Sequence, residues 1–323
     1  MHSWAKHLDW WNRALPGGFA HERPDSYTMT RDVEGVYARH DVKVPFTPAE
    51  TDEALAWLRD KGWSDGQHFV CLLVRDHEYL RNDPLHGKGA DRAEGIWSYH
   101  NYRNTDIVTY IPAIQWLAEQ GVWVIRMGKL MSEPLPTNME HVIDYAFDNG
   151  KSDLLDIWLF ANCAGCVTTG TGPDGISSIY GVPLLFVNFS PLGQFWSYAN
   201  SISVPKPLRW MKDKEPLTIH EHLSNGYLRQ SEYEASGIDV VDMAPEDILL
   251  AFQEFWGRRT DTWKEEPGDA QRQQDFWESL LASSENGRFH GWRHPNSRIG
   301  AAWLKALERQ IASSSRMNGD ILS

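Results

Sequence analysis

Cys163 and Cys166 form a Cys-x-x-Cys pair, and close behind them TTGTGPDG, residues 168–175, forms a Thr/Gly-rich loop running into a helix-like stretch. The pair is a candidate for thiol redox chemistry or for zinc. Redox chemistry of the thioredoxin kind needs the reactive thiol at a helix N-terminus, whose partial positive charge favours the thiolate. Here the pair leads into VTTG and so lies in, or enters, a strand. Zinc needs two further closely spaced Cys or His ligands. The nearest, His220 and His222 of TIHEHL, stand two apart at a helix start, where their side chains diverge. The cysteines therefore read as small buried strand residues, and Cys→Ser changes at Cys163 or Cys166 are expected to leave activity in place.

The loop offers phosphate chemistry. Thr168, Thr169 and Thr171 supply hydroxyl donors, and Gly170, Gly172 and Gly175 let the backbone approach a ligand. Free N–H groups where Asp174 opens the next helix present partial positive charge to an anion. The spacing is not that of a P-loop, because no Gly-Lys-Ser/Thr follows. It does contain G-x-G-x-x-G, yet the next strand, VPLLFVNF, ends in Asn188 rather than in the acidic residue that would hold a ribose. Alone, the pattern fits an ordinary strand-to-helix turn equally well.

Other strand ends add to it. Arg75 and Asp76, with His77 behind them, close HFVCLLVRD; Arg126 and Gly128 close VWVIRMG; Arg103 and Asn104 precede a helix. Each arginine alone fits a surface ion pair. If the strands are parallel, all these ends share one rim, and arginines beside a Thr/Gly nest predict a diphosphate or nucleotide-sugar site.

The elements that must position these residues are legible in the hydrophobic pattern. FTPAETDEALAWLRDKGW has Thr47 as N-cap, Pro48 at the first helical position and an apolar stripe through Ala54, Leu55 and Leu58. HFVCLLVRD is a strand buried on both faces. A helix over 106–120 ends at Gly121 before the strand VWVIRM. HVIDYA predicts a strand, SDLLDIWLFANC a helix, CAGCVTTG a strand, PDGISSIYG a helix, VPLLFVNF and GIDVVDM strands, and APEDILLAFQEFWGRR an amphipathic helix. This alternation predicts an α/β fold with a doubly wound parallel, Rossmann-like sheet. The expected organisation is an irregular N-terminal arm over 1–45 with one short helix near Trp4–Ala14, a nucleotide-sugar-binding domain over 46–260, and a helical C-terminal region over 261–323 without strands.

Composition narrows the partners. The 323 residues carry 31 Lys and Arg against 44 Asp and Glu, a net charge of −13, so the overall field repels nucleic acid and anionic membrane. No apolar run reaches the ~20 residues needed to cross a bilayer. Three unevenly spaced cysteines suit a reducing compartment, and a cytoplasmic protein is expected. Sixteen tryptophans are many; they suit sugar-binding clefts as well as cores.

VCLLVRDHEYL, YHNYRNTDIVTYIPAIQWLAEQGVWVIRMG, IDYAFDNGKSDLLDIWLFANCAGCVTTGTG, GVPLLFVN and SISVPKPL together resemble a bacterial family of glycosyltransferases of surface-polysaccharide type. More distantly, the layout resembles the nucleotide-sugar-binding half of the GT-B fold. The resemblance spans about residues 45–260 and implies transfer of a sugar from a nucleotide-sugar donor to an acceptor hydroxyl, with no cofactor. Metal independence agrees with the absence of an Asp-x-Asp pair from the sequence. Arginines and amides would then stabilise the leaving phosphate, and Asp76 or His77, beside Arg75, would deprotonate the acceptor. A complete GT-B enzyme has two doubly wound domains, whereas one is visible here; a homodimer is one way to supply the second wall. A sugar-nucleotide epimerase and a non-catalytic sugar-nucleotide or glycan-binding module share the same rim and are the alternatives.

Overall fold

The computed structural model describes residues 2–21, 31–39, 43–79, 98–136 and 138–309. Helix α1 (His2–Ala14) lies in the N-terminal arm, where a short helix is expected. Helix α2 (Pro48–Asp60) begins as its sequence dictates. Thr47 Oγ1 accepts from Glu50 N–H while Glu50 Oε2 accepts from Thr47 N–H at 2.7 Å, a closed capping box. Strand β1 (Phe69–Leu73) follows. Short 3₁₀ turns over Ser98–Arg103 and Ile107–Tyr110 lead into α3 (Ile111–Glu119). Gly121, at φ 75°, then reverses the chain into β2 (Trp123–Arg126).

Next come β3 (Val142–Ile143), α4 (Asp153–Asn162) and β4 (Gly165–Thr168). Ser152 Oγ caps α4 by accepting from Leu155 N–H at 3.1 Å. Helix α5 (Asp174–Ile179), β5 (Leu184–Phe189) and β6 (Ser201–Pro205) continue the alternation. A small excursion holds β7 (Leu208–Trp210), α6 (Ile219–Leu223), α7 (Gln230–Ala235) and β8 (Ile238–Val240). The chain returns through α8 (Pro245–Arg259), α9 (Asp269–Ala282), β9 (Arg298–Ile299) and a helix over 301–309.

Seven parallel strands run in the order β3-β2-β1-β4-β5-β6-β9. The sheet is Rossmann-like, as the alternation predicts. The chain winds outward from β1 to one side and then, after β3, crosses to the other, so the order reverses between β1 and β4. Ligands of open α/β sheets sit outside the carboxyl ends of the strands at such a reversal.

Alternation within β1 splits the core. Phe69, Cys71 and Leu73 face a layer built from α2, α4 and α9, through residues such as Leu58, Leu159 and Phe276. Val70, Leu72 and Val74 face α3 and α8 through Ile114, Leu117, Ile248 and Phe252. All three cysteines are free and buried. Burial pushes the Cys71 and Cys166 thiols up, away from thiolate. Among the described residues no group of Cys, His, Asp or Glu is placed to hold a metal.

Four strand expectations need correcting, one of them β7, for which the sequence pattern predicts no strand. GIDVVDM does form β8, but β8 pairs antiparallel with β7 in a separate two-stranded sheet. A small core of Tyr102, Leu208, Leu217, Tyr233 and Ile238 supports that sheet. Strand β6 was not expected, because its Ser201 and Ser203 break the apolar run; both are nonetheless buried, Ser201 Oγ donating to Trp196 O at 2.9 Å. The C-terminal region also contributes a strand, β9, at the edge of the main sheet. Two residues are too few for any periodicity to register.

Candidate anion-binding site at the carboxyl edge of the sheet

Beyond β1 and β4, the loop over 168–175 is braced from within. Thr168 Oγ1 donates to Asp174 Oδ2 at 2.9 Å and accepts from Gly170 N–H at 3.0 Å. Asp174 Oδ2 also accepts from Thr171 N–H at 2.7 Å. Gly170 sits at φ 81° with the Phe189 ring beneath it, where a Cβ would stand 2.9 Å from ring carbons. Only glycine fits this crossing. Thr169 Oγ1 accepts from Arg75 N–H at 3.1 Å, tying the loop to the end of β1. Arg75 Nε in turn donates to Asn104 Oδ1 at 3.3 Å. The buried Lys206 donates to Asn104 O at 2.7 Å and pairs with Asp242.

This framework walls a hollow of about 350 Å³, the size of a small ligand pocket. Arg103, Gly170, Thr171, Gly172 and Asp174 line it, as the sequence predicts for the rim. Arg31, Ser190, Gln194, Trp196 and Tyr102 also line it and were not anticipated. Gly175 lies just behind, in the first turn of α5, donating to Gly172 O at 3.1 Å. At six residues, α5 is too short for its end to contribute much field.

Two guanidiniums and one carboxyl line the hollow: Arg31, Arg103 and Asp174, the last within electrostatic reach of Arg103. Arg31 donates from Nη1 to Phe195 O at 2.5 Å and from Nη2 to Gln194 O. Arg103 donates to Gly170 O. Among the described residues neither guanidinium has a carboxylate hydrogen-bonded or ion-paired to it. Burial lowers the Arg31 pKa to about 10, the direction expected for a desolvated cation without a counter-ion. Two side-chain oxygens also lack a hydrogen bond among the described residues: Thr171 Oγ1 and Asp174 Oδ1, both buried. Burial raises the Asp174 carboxyl above its ordinary range. Buried polar atoms are rarely left this way unless a ligand or water completes them.

The other predicted rim residues lie elsewhere. Asn188 is fully buried and does not line the hollow. Its Nδ2 donates to Thr105 Oγ1 and to Tyr110 Oη, each at 3.1 Å, and its Oδ1 accepts from Met243 N–H at 2.8 Å. Asn188→Ala would strand these groups, and we expect a loss of about 2–4 kcal/mol in chemical denaturation. Arg126 and Asp76 line a second hollow of about 120 Å³ at the ends of β1 and β2, and Gly128 lies beside it against the Met131 side chain. Arg126 is 1% exposed; its Nη1 donates to Glu133 O at 2.8 Å and pairs with Asp144 Oδ2 at 3.3 Å. Asp76 accepts from Glu78 N–H and, through Oδ2, from both Ser132 N–H and Oγ. His77 keeps a half-exposed imidazole near the Glu78 carboxylate.

The unanticipated wall, residues 190–197, follows β5 directly, so the rule that singled out the other strand ends reaches it too. It is held by His290, whose Nε2 donates to Gly193 O and whose Nδ1 accepts from Ser197 Oγ, both at 2.8 Å, when the ring is neutral. Burial lowers His290 to about 4 and likewise lowers His222, beneath the 301–309 helix, to about 4. Between pH 6.5 and 4 the unfolded chain takes up protons that the native state refuses. Stability is therefore lost as pH falls through this window, by up to about 3 kcal/mol for each group. Melting temperature should drop steeply over the range, and His222→Leu should flatten the drop.

Comparison with protein-family models, with curated proteins and with solved structures found no match for the chain. The resemblance to surface-polysaccharide glycosyltransferases thus rests on the sequence motifs alone.

Proposed function

We propose that the chain is a glycosyltransferase that holds the diphosphate of a nucleotide-sugar donor in the 350 Å³ hollow and transfers the sugar to an acceptor hydroxyl without a divalent cation. The observation that carries this reading is the pair of guanidiniums, Arg31 and Arg103, which among the described residues are hydrogen-bonded to backbone carbonyls alone and face one hollow. A partly buried guanidinium held by neutral carbonyls keeps its charge uncompensated at close range, and a phosphate dianion or diphosphate is the ligand that offsets it. The site also stands at the carboxyl edge of the sheet, beyond β4 and β5 and next to the reversal between β1 and β4, the edge at which open α/β sheets present ligands.

In this reading Arg31, Arg103 and the Thr171 hydroxyl stabilise the charge that builds on the leaving diphosphate, the task a metal performs in other transferases. Tyr102 and Trp196 form the apolar side against which a sugar or base ring packs. Of the two candidate bases, His77 retains an exposed imidazole, whereas Asp76 spends its oxygens on Glu78 and Ser132. His77 is therefore the group assigned to deprotonate the acceptor.

The test is turnover of nucleotide sugars in the presence of EDTA. Nucleoside diphosphate should be released only when a hydroxyl-bearing acceptor is added. Donor altered without acceptor would replace transfer by epimerisation or hydrolysis, and donor bound but unaltered would leave a binding module.

A further inference from the structure

Helix α1 is the most amphipathic described element of the N-terminal arm, and its apolar face stays exposed to solvent, Trp11 packing edge-on only against the neighbouring Trp10 ring among the ring contacts of the described residues. On a helical wheel Trp4, Leu8 and Trp11 fall on one narrow stripe, which Leu15, just past the end of the helix, extends. They are 75%, 69%, 61% and 61% exposed, and Phe19, just after the helix, is 79% exposed. Every described side chain of α1 except Asn12 is open to solvent. Asn12 Nδ2 donates to Gly18 O at 2.8 Å and folds the following turn back on the helix, so the stripe and Phe19 are held as one unit. Aromatic side chains bring roughly 150–250 Å² each, which makes this patch larger than the few hundred Å² a monomer ordinarily exposes.

Charge and side-chain type indicate the occupant. The polar face carries Lys6 and Arg13, with Asp9 as the single acid, paired to Arg13 at 3.1 Å. The helix is thus net positive in a chain whose net charge is −13. Basic residues on one face with Trp and Leu on the other characterise helices that lie in a lipid interface, where the indole ring is both apolar and hydrogen-bonding; Trp10, 68% exposed, stands beside Lys6 at the margin of the polar face. Pairing with a second copy is a poorer fit. Two of the four seam positions are tryptophan rather than the Leu, Ile or Val that pack as knobs into holes, and 13 residues give fewer than two heptads.

We propose that α1 is an interfacial anchor that lays Trp4, Leu8, Trp11 and Leu15 into an anionic lipid surface. The helix rises about 20 Å along its axis and so lies on a bilayer rather than crossing it; no described helix is long and apolar enough to cross. The proposal is independent of what occupies the hollow at the sheet edge.

The full chain should co-sediment with vesicles of phosphatidylcholine containing one-third phosphatidylglycerol, with a blue shift of tryptophan emission. The double variant W4S/W11S, altered only at exposed positions, should lose partitioning by about tenfold or more while melting as the parent does. K6E/R13E should weaken binding to the anionic vesicles severalfold. Failure to partition, or partitioning unchanged in W4S/W11S, overturns the proposal. So does a concentration-dependent dimer in sedimentation that W4S/W11S abolishes while vesicles are not bound, since the stripe would then be a protein interface.

Discussion

Arg31→Met and Arg103→Met are each expected to weaken nucleotide-sugar binding by about tenfold to a hundredfold, with little change in the melting temperature of the ligand-free protein. Hydrogen bonds to charged groups are worth about 1.5–3 kcal/mol, and 1.4 kcal/mol is a factor of ten. The effect on the free protein is small because two terms oppose. Losing the bonds to the carbonyls of Gln194 and Phe195 destabilises, while removing the guanidinium also removes the cost of desolvating its charge. Binding measured by calorimetry and stability by thermal melting separate the two. If Arg31→Met unfolds the protein, the guanidinium is a structural tie for the 190–197 loop instead.

Arg126→Ala is expected to have the opposite profile, a large loss of fold. Its guanidinium, 1% exposed, answers Asp144, whose Oδ2 also accepts from Leu135 N–H at 2.7 Å and whose Oδ1 has no hydrogen bond. Removing one partner of a buried pair leaves the other uncompensated, a cost of about 3–5 kcal/mol. At about 2–4 °C for each kcal/mol in a domain of this order of size, the melting temperature should fall by roughly 6–20 °C. The double variant R126A/D144A should recover part of the loss, because both charges are then gone. An unchanged melt with nucleotide binding abolished would place Arg126 on the ligand, the outcome the sequence pattern by itself suggests.

Why Arg126 and Asn188 turn away from the hollow is a matter of strand geometry finer than strand existence. In β2, Val124 faces the α3 and α8 layer and Ile125 the opposite one, so alternation sends Arg126 back to the α3 side. Parity along the strand carries that signal, whereas the strand end alone does not. Asn188 is different: it sits at φ 54° where the β5–β6 register shifts between Val187 and Phe189. A bulge residue in the left-handed region re-aims its side chain, and nothing in VPLLFVNF announces it. The Thr168–Gly175 loop was legible because its glycines and threonines are required locally, as the crossing of Gly170 over Phe189 shows. Arg31 was not. It arrives from the N-terminal arm, and its role depends on the carbonyls of residues 194 and 195, more than 160 positions away. The capping box at Thr47 and the two-faced burial of β1 belong to the legible part, since both are written within a few consecutive residues.

The most direct measurement is the thermal shift of the full chain with a panel of nucleoside diphosphate sugars, free nucleotides and inorganic phosphate in EDTA. A ligand that binds the native state alone raises the melting temperature with its concentration. At least one nucleoside diphosphate sugar should raise it by several degrees, inorganic phosphate should do less, and the shift should collapse in Arg31→Met. No shift with any nucleotide, or a shift that survives the loss of both Arg31 and Arg103, would contradict the assignment of the hollow to a diphosphate.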